Sequence, residues 1–398
     1  MHQMTIESVE VHAVRGPRPT APLTYRQRQV NMLSVYEDHR PAFRNDDFPT
    51  DPDWTQSLYL RIGTDTGIEG FYGPVDPEVS WSVWAMLSEL LIGQDALAIS
   101  ILWDKMERAN RHSRHGHYKI AVSAVDNALW DLKGKVLGAP VWQLLGGGQS
   151  RSHIPAYISM LGSALDEESV EDWASWGAKE GFAGQKWFLS DGPGTGSKGL
   201  ARSVRIAEQL REVLGPETDL MFDVFQGWDL SFATSWYERV KELRIAWLEE
   251  PFSPSRYPAF LALHRSTGAP LASGEHLYDR AEVLPYLNDH VLVAIQADPE
   301  WCGGVTELVR ICALSEPFGV PVIPHGHGLH AALHVVASQS PALTPKMEYL
   351  VHGMPNRHHF EVSPPKPLGG SFALPVSPGF GIELDTSKID SRRVLDFN

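Results

Sequence analysis

Six acidic or histidine side chains in the second half of the chain recur at a near-constant interval, each at the end of or within a short apolar run that reads as a β-strand. Asp223 follows Leu220-Met221-Phe222, Glu249 follows Ala246-Trp247-Leu248, and Glu275 follows Leu271-Ala272-Ser273-Gly274. Asp298 follows Ala294-Ile295-Gln296-Ala297, His325 follows Val320-Pro321-Val322-Ile323-Pro324, and Glu348 precedes Tyr349-Leu350. Successive members lie 26, 26, 23, 27 and 23 residues apart, enough for one strand, one helix and two loops. Repeating that unit gives parallel strands joined by helical crossovers, and closing eight of them into a barrel brings all the C-terminal strand ends to one face.

Polar groups at those ends therefore converge. Asp223, Glu249 and Glu275 are hard oxygen donors that suit a divalent ion such as magnesium, with water and substrate oxygens in the remaining positions. Asp298 and His325 fall on adjacent strands, where a carboxylate can orient an imidazole as a general base. A single acid at a strand end is as readily a solvated loop residue, but six in register argue against that reading for the set.

The 398 residues exceed one ordinary domain and fit a barrel of about 250 residues plus a second unit. With 43% hydrophobic and 21% charged residues the composition is that of a soluble globular protein. A net charge of −15 disfavours nucleic acid and anionic membranes as partners. No run approaches the length of a membrane helix, and Met1-His2-Gln3-Met4-Thr5 leads into a strand pattern rather than a signal peptide, so the cytoplasm is the expected compartment. Cys302 and Cys312 have neither the number nor the spacing of a disulfide framework, a zinc ribbon or a redox motif.

An α+β unit precedes the barrel. Residues 6–14 alternate as a strand, 57–73 read as a hairpin around Thr64-Asp65-Thr66-Gly67, and helical patterns follow near 81–93, 98–110 and 119–137. Gly146-Gly147-Gly148-Gln149-Ser150 punctuates the boundary, which divides the chain into 1–148, a barrel over 149–365 and a turn-rich segment over 366–398 that returns to the first unit. Barrel strand one is Ile154-Pro155-Ala156-Tyr157-Ile158, strand two is Gln185-Lys186-Trp187-Phe188-Leu189, and strand eight lies near 346–350. The stretch 21–53 is long and weakly patterned, with Tyr25, Arg26, Arg28, His39, Arg40 and Arg44; part of it reads as a substrate-facing lid whose cations suit an anionic substrate, the alternative being a solvated or oligomer-contact loop.

Two motifs point elsewhere. Gly194-Thr195-Gly196-Ser197-Lys198-Gly199 matches a dinucleotide fingerprint, yet it falls after strand two of a barrel rather than in the first unit of an open sheet, and Lys198 is followed by Gly199, which breaks the phosphate-loop pattern. His325-Gly326-His327-Gly328-Leu329-His330 invites a zinc reading, against which stand the carboxylates at the neighbouring strand ends; His327 and His330 are expected to support His325 or pack the loop.

Asp223, Trp247-Leu248-Glu249-Glu250-Pro251, Ser273-Gly274-Glu275-His276, Gln296-Ala297-Asp298 with Gly303-Gly304-Val305, and Val322-Ile323-Pro324-His325-Gly326 together resemble the enolase superfamily, mandelate racemase subgroup. The resemblance extends to Ser123-Ala124-Val125-Asp126-Asn127-Ala128-Leu129-Trp130-Asp131 and Leu144-Leu145-Gly146-Gly147, in what would be the capping domain. It implies a modified (β/α)-barrel with an N-terminal α+β capping domain, assembly from identical subunits, and abstraction of the proton α to a carboxylate, with the enediolate held by magnesium on Asp223, Glu249 and Glu275. His325 would be the base, Asp298 its orienting partner, and Glu348 a hydrogen-bonding group on the opposite side of the substrate carboxylate. A carbon acid beside a carboxylate is too weak for a side-chain base unless a metal neutralises the developing charge.

Racemases of the subgroup carry Lys-x-Lys on strand two, whereas this chain has Lys186-Trp187-Phe188, which disfavours a second base. One dyad suffices to remove the C2 proton of a sugar acid and return it to the departing C3 hydroxyl. The resemblance accordingly implies a magnesium-dependent acid-sugar dehydratase, similar to the rhamnonate dehydratases, in which a histidine stands at the place of His276. His276 otherwise faces the helices, and Lys186 is either a substrate contact or a solvated or salt-bridged lysine. Epimerisation or cycloisomerisation by the same enolate chemistry is the nearest alternative. A metal hydrolase would need histidine ligands on strand one, where Tyr157 stands, and a non-catalytic binding role would show as magnesium binding without turnover.

Overall fold

The computed structural model describes residues 4–19, 29–41, 53–112, 114–149 and 151–397. Three antiparallel strands open the chain: β1 (Ile6–Pro17), β2 (Trp54–Thr64) and β3 (Glu69–Val75), with β2 central. Their buried side, with Val11, Ala13, Leu58, Leu60 and Tyr72, faces the helical layer of α1 (Ile99–Ala109) and α2 (His117–Leu137), in which α2 packs on the sheet and α1 packs on α2. α2 buries Ala121, Val125, Ala128, Leu129 and Leu132 along one side and stops at Gly138, whose φ of +65° places it in the left-handed region that closes a helix. Residues 79–91 are also helical, with a wider π turn at Val83–Leu87. Within 21–53, short 3₁₀ turns occupy Met32–Val35 and Glu37–His39; Tyr25, Arg26, Arg28 and Arg44 lie outside the described residues.

Seven parallel strands follow: β4 (His153–Ser159), β5 (Gly184–Phe188), β6 (Asp219–Asp223), β7 (Trp247–Glu249), β8 (Leu271–Ser273), β9 (Leu292–Ile295) and β10 (Met347–Leu350). β10 pairs with β4, and the sheet runs in chain order from there to β9. The expected seventh barrel strand, 320–324, is reduced to one bridge, Ile295 with Val322. Pro321 and Pro324 flank that bridge and have no N–H to give, so only Val322 and Ile323 donate, to Leu343 O and Ile295 O at 2.8 Å each. The segment still closes the gap between β9 and β10, completing a modified (β/α)-barrel. Tyr157, Met221, Trp247, Ala272, Ala294 and Ile323 fill the barrel interior as one apolar layer beneath the strand ends.

Two short strands tie the end of the chain back. β11 (Ser371–Ala373) pairs antiparallel with the first residues of β4, and β12 (Ser391–Val394) pairs with β1, from His12 with Val394 to Arg15 with Ser391. Among the described residues, no helix is long and apolar enough to cross a membrane.

The first unit and the barrel meet where α2 crosses the start of helix α3 (Gly304–Ser315). Backbone N–H groups at a helix start have no partner within the helix. Here α2 supplies acceptors: Gly303 N donates to Ser123 Oγ at 2.8 Å, Val305 N to Asn127 Oδ1 at 3.0 Å and Thr306 N to Asp126 Oδ2 at 2.9 Å. Asn127 Nδ2 returns a bond to Pro299 O at 3.0 Å, and Trp103 Nε1 donates to Gly303 O at 2.7 Å. Gly304 has φ +85°, and a Cβ there would stand 2.3 Å from Asp126 Oδ2, so this close approach requires glycine. Asp131 accepts from Phe71 N and Phe380 N, both at 2.8 Å, tying β3 and the C-terminal segment to α2. The Ser123-to-Asp131 run is thus a fastening.

Candidate active site

Asp223 ends β6, Glu249 ends β7, Glu275 lies two residues past β8, Asp298 three past β9, His325 three past the Val322 bridge, and Glu348 is the second residue of β10. The two carboxylates that end strands owe their position to the alternation of β6 and β7, which turns Met221 and Trp247 inward one step below them. All six are buried except His325, which keeps a small exposed edge.

Lys186, on β5, is fully buried and stands among three of the carboxylates: Nζ lies 2.5 Å from Glu249 Oε1, 2.8 Å from Glu348 Oε1 and 3.6 Å from Asp223 Oδ2. Burial opposes its charge, but Glu249 and Glu348 outweigh burial and hold its pKa well above the ordinary value. Lys186 is thus salt-bridged and not solvated. Phe188, at the place of the second lysine of Lys-x-Lys, puts its ring 5.5 Å from Lys186 Nζ. Glu249 Oε2 also accepts from Trp247 Nε1 at 3.0 Å and Gln296 Nε2 at 2.5 Å. For Asp223, burial and then the charge of Glu249 outweigh the more distant Lys186 and the bond from Phe225 N, and push its carboxyl above the carboxylate range.

Glu275 turns away from that group toward two histidines, 3.0 Å from His325 Nε2 and 3.1 Å from His276 Nδ1. The structure thus gathers Asp223, Glu249 and Glu348 around Lys186, and Glu275 with His325 and His276 beside them. His325 Nδ1 is 3.0 Å from Asp298 Oδ2, whose carboxylate is itself fixed by Glu300 N at 2.7 Å and Gly328 N at 3.2 Å. Burial lowers the His325 pKa, but Glu275 and the bond to Asp298 outweigh it and carry it well above the ordinary imidazole value. With Nδ1 held by Asp298, Nε2 is the atom left for proton transfer. Glu348 Oε2 accepts from Gly326 N at 3.0 Å, which fixes the loop that carries His325.

His276 does not face the helices. Its Nδ1 lies 2.8 Å from Glu250 Oε2, and Glu250 also accepts from Gln226 Nε2 at 2.7 Å and Ser273 Oγ at 2.9 Å. Burial opposes a charge on His276, but Glu250 and Glu275 prevail and raise it to about 11. Phe225, Gln226 and Glu250 hold φ of +43°, +60° and +34°, a conformation that costs non-glycine residues about 1–3 kcal/mol each. Strain is thus concentrated where β6 and β7 open onto the site.

Residues without a sequence signal complete it. The indole of Trp301 lies 5.0 Å from both His325 and His327 and 5.7 Å from His276, ring centre to ring centre. His327 pairs with Asp76 at 3.2 Å and Glu300 at 2.9 Å, and Arg357 binds the same two carboxylates at 3.1 and 2.7 Å. His330 instead meets Glu361 at 2.9 Å. The three histidines of 325–330 belong to three separate carboxylate groups, which removes the shared-zinc reading. Val30 N donates to Leu189 O at 2.9 Å, and Arg40 Nε would stand 2.6 Å from a Cβ on Gly194; the glycine loop is covered by the 29–41 segment rather than open to a dinucleotide.

Against this geometry the chain matches two family models: Mandelate racemase / muconate lactonizing enzyme, N-terminal domain, over residues 54–146, and Enolase C-terminal domain-like over residues 168–388. An L-rhamnonate dehydratase of Saccharopolyspora erythraea is 32% identical over 322 residues, 78% of each chain. The rhamnonate dehydratase of Gibberella zeae, solved in complex with Mg, is 26% identical with a TM-score of 0.82, covering 98% of this chain and 96% of that one. A racemase of Streptomyces coelicolor A3(2), solved with bound magnesium, is 25% identical with a TM-score of 0.77 over 96% of this chain and 98% of that one. The chain belongs to the mandelate racemase / muconate lactonizing enzyme family, within the enolase superfamily of enzymes.

Proposed function

We propose that this protein is a magnesium-dependent dehydratase of a sugar acid, removing the proton α to the carboxylate and the 3-hydroxyl to leave a 2-keto-3-deoxy acid. The observation that carries the reading is the pairing of a single base, His325 on Asp298, with an excess of buried carboxylates, and with Phe188 where a second base would stand. Support comes also from relatives named rhamnonate dehydratase, one of them solved with Mg.

The donor set fits the metal. Asp223, Glu249, Glu275 and Glu348 are four buried carboxylates, faced at close range by the Lys186 ammonium and the imidazoles of His325 and His276. Hard oxygen donors in that number suit magnesium. Asp223, Glu249 and Glu275 would hold it. Glu250, Glu275 and His276 also come close enough to share an ion, but Glu250 already accepts three hydrogen bonds. When bound, magnesium offsets the negative charge that gathers on the substrate carboxylate as the α-proton leaves.

This chain's residues do the rest. His325 takes the C2 proton on Nε2 while Asp298 holds Nδ1 and steadies the imidazolium. Lys186 and Glu348 flank the place of the substrate carboxylate, the ammonium offering charge there while the Glu348 carboxylate holds Lys186 and accepts from Gly326 N in the loop of the base. The C3–O bond then breaks, the proton on Nε2 passes to the leaving hydroxyl as water, and the enol left behind tautomerises to the 2-keto acid. His276 stands at the edge as a polar contact for a substrate hydroxyl. A screen of sugar acids with magnesium, assayed for 2-keto-3-deoxy product, tests this. A hit abolished in His325→Asn supports dehydration, whereas exchange of the α-proton with solvent deuterium and no loss of water replaces it with epimerisation.

A further inference from the structure

A cavity of about 580 Å³ opens beside the carboxylate cluster, between the loops that follow β6, β7 and β8 and the turn before α2. Ligand pockets usually hold about 300–1,000 Å³, so this volume admits more than the few atoms that react at the cluster. Two of its lining residues, Gln226 and His276, are also members of the cluster, so cavity and reaction centre share a wall. Ser253, Tyr257, Tyr278 and Tyr286 line the rest. Tyr286 is held upright by the bond from its hydroxyl to Pro254 O at 2.9 Å, and Tyr257 stands edge-on to it at 4.8 Å between ring centres. Aromatic faces among hydroxyls suit the C–H surface and the hydroxyls of a sugar.

The shared wall is built rather than incidental. Gln226 and Glu250 sit in the left-handed region, joined by Gln226 N to Glu250 O at 2.8 Å, and together they fix the His276 ring. Its Nδ1 is committed to Glu250 and Glu275, while Nε2 makes no hydrogen bond among the described residues. Nε2 is therefore the polar atom presented to an occupant. At the rim, His115 Nδ1 and Glu282 Oε1 pair at 2.8 Å, so among the described residues that line it the rim offers no unpaired cation for a second carboxylate.

We infer that this cavity is a subsite for the remote, uncharged, hydroxylated end of an extended aldonic acid, one that carries a glycosyl unit, rather than for an aldaric acid; this rests on the sugar-acid reading above. The test is calorimetric binding of gluconate, glucarate and lactobionate, a galactosyl gluconate, to the magnesium-loaded protein and to Ser253→Phe, which fills the cavity. Ser255→Phe, on an exposed residue of the same wall, is the second variant. The expected result is lactobionate bound at least tenfold tighter than gluconate, with that preference lost in both variants. Equal affinity for the two aldonates, tightest binding of glucarate, failure of lactobionate to bind, or a preference untouched by both variants would overturn the subsite. Gluconate dehydrated while lactobionate fails to bind would overturn the subsite and leave the reaction standing. Lactobionate bound with the expected preference but never losing water would do the reverse.

Discussion

Two places in this molecule bury polar groups in quantity, and they differ in how well those groups are matched. Where α2 crosses α3, each donor has a nearby acceptor: Ser123, Asp126 and Asn127 take the three N–H groups of Gly303, Thr306 and Val305. Thr306 Oγ1 adds a bond to Asp126 Oδ1 at 2.6 Å. At the strand ends, four carboxylates, Asp223, Glu249, Glu275 and Glu348, crowd one ammonium and two histidines. A matched buried network fastens, and its loss costs stability. An unmatched one costs stability to keep, which marks it as functional. Each expected outcome below presses on that distinction.

The largest effect belongs to the unmatched region. His325→Asn removes the base while leaving the fold, and the dehydration rate falls by about 10²–10⁴-fold with an unchanged unfolding midpoint. A variant that unfolds at lower denaturant and keeps its rate would reverse the assignment. In the matched region the pattern inverts. Asp126→Ala leaves Thr306 N–H buried without its acceptor and lowers stability by about 1–3 kcal/mol in urea unfolding, while kcat stays within about twofold. A lost rate at unchanged stability would erase the contrast.

A smaller effect concerns acid. His334 accepts from Trp142 N at 3.0 Å, and burial lowers its pKa to about 3. The unfolded imidazole titrates near the ordinary 6.5, so the stability this neutral ring contributes is complete above pH 6.5 and is lost as pH falls toward 3. His334→Gln should flatten the decline of unfolding free energy between pH 6.5 and 4 by up to about 1.4 kcal/mol per pH unit. An identical slope in the variant would show that the ring does not titrate on unfolding.

The same contrast explains what could be read from residues alone. The strand ends were legible because one unit repeats, and a period near 25 residues survives changes in loop composition. The seventh strand is shorter than its pattern predicts: Val320 to Pro324 is apolar, but its two prolines leave it one bridge. Lys186 was legible as a residue near the site and illegible as its hub, because alternation sets the side of a strand and not the partner. The contacts of Asp76 with Arg357 span 281 residues, and no local pattern encodes such a pair. Asp126 and Asn127 were legible as members of a helix, while their task at the start of α3 depends on how two units dock.

The most direct test of the account is a calorimetric magnesium titration of metal-stripped wild-type protein beside Glu249→Gln. The account predicts one magnesium per chain in the wild type, bound at least about tenfold more weakly once one carboxylate is neutralised. Equal affinity in the two proteins, or no binding to the wild type, would mean that the unmatched carboxylates are not a metal site, and the proposed chemistry would fall with it.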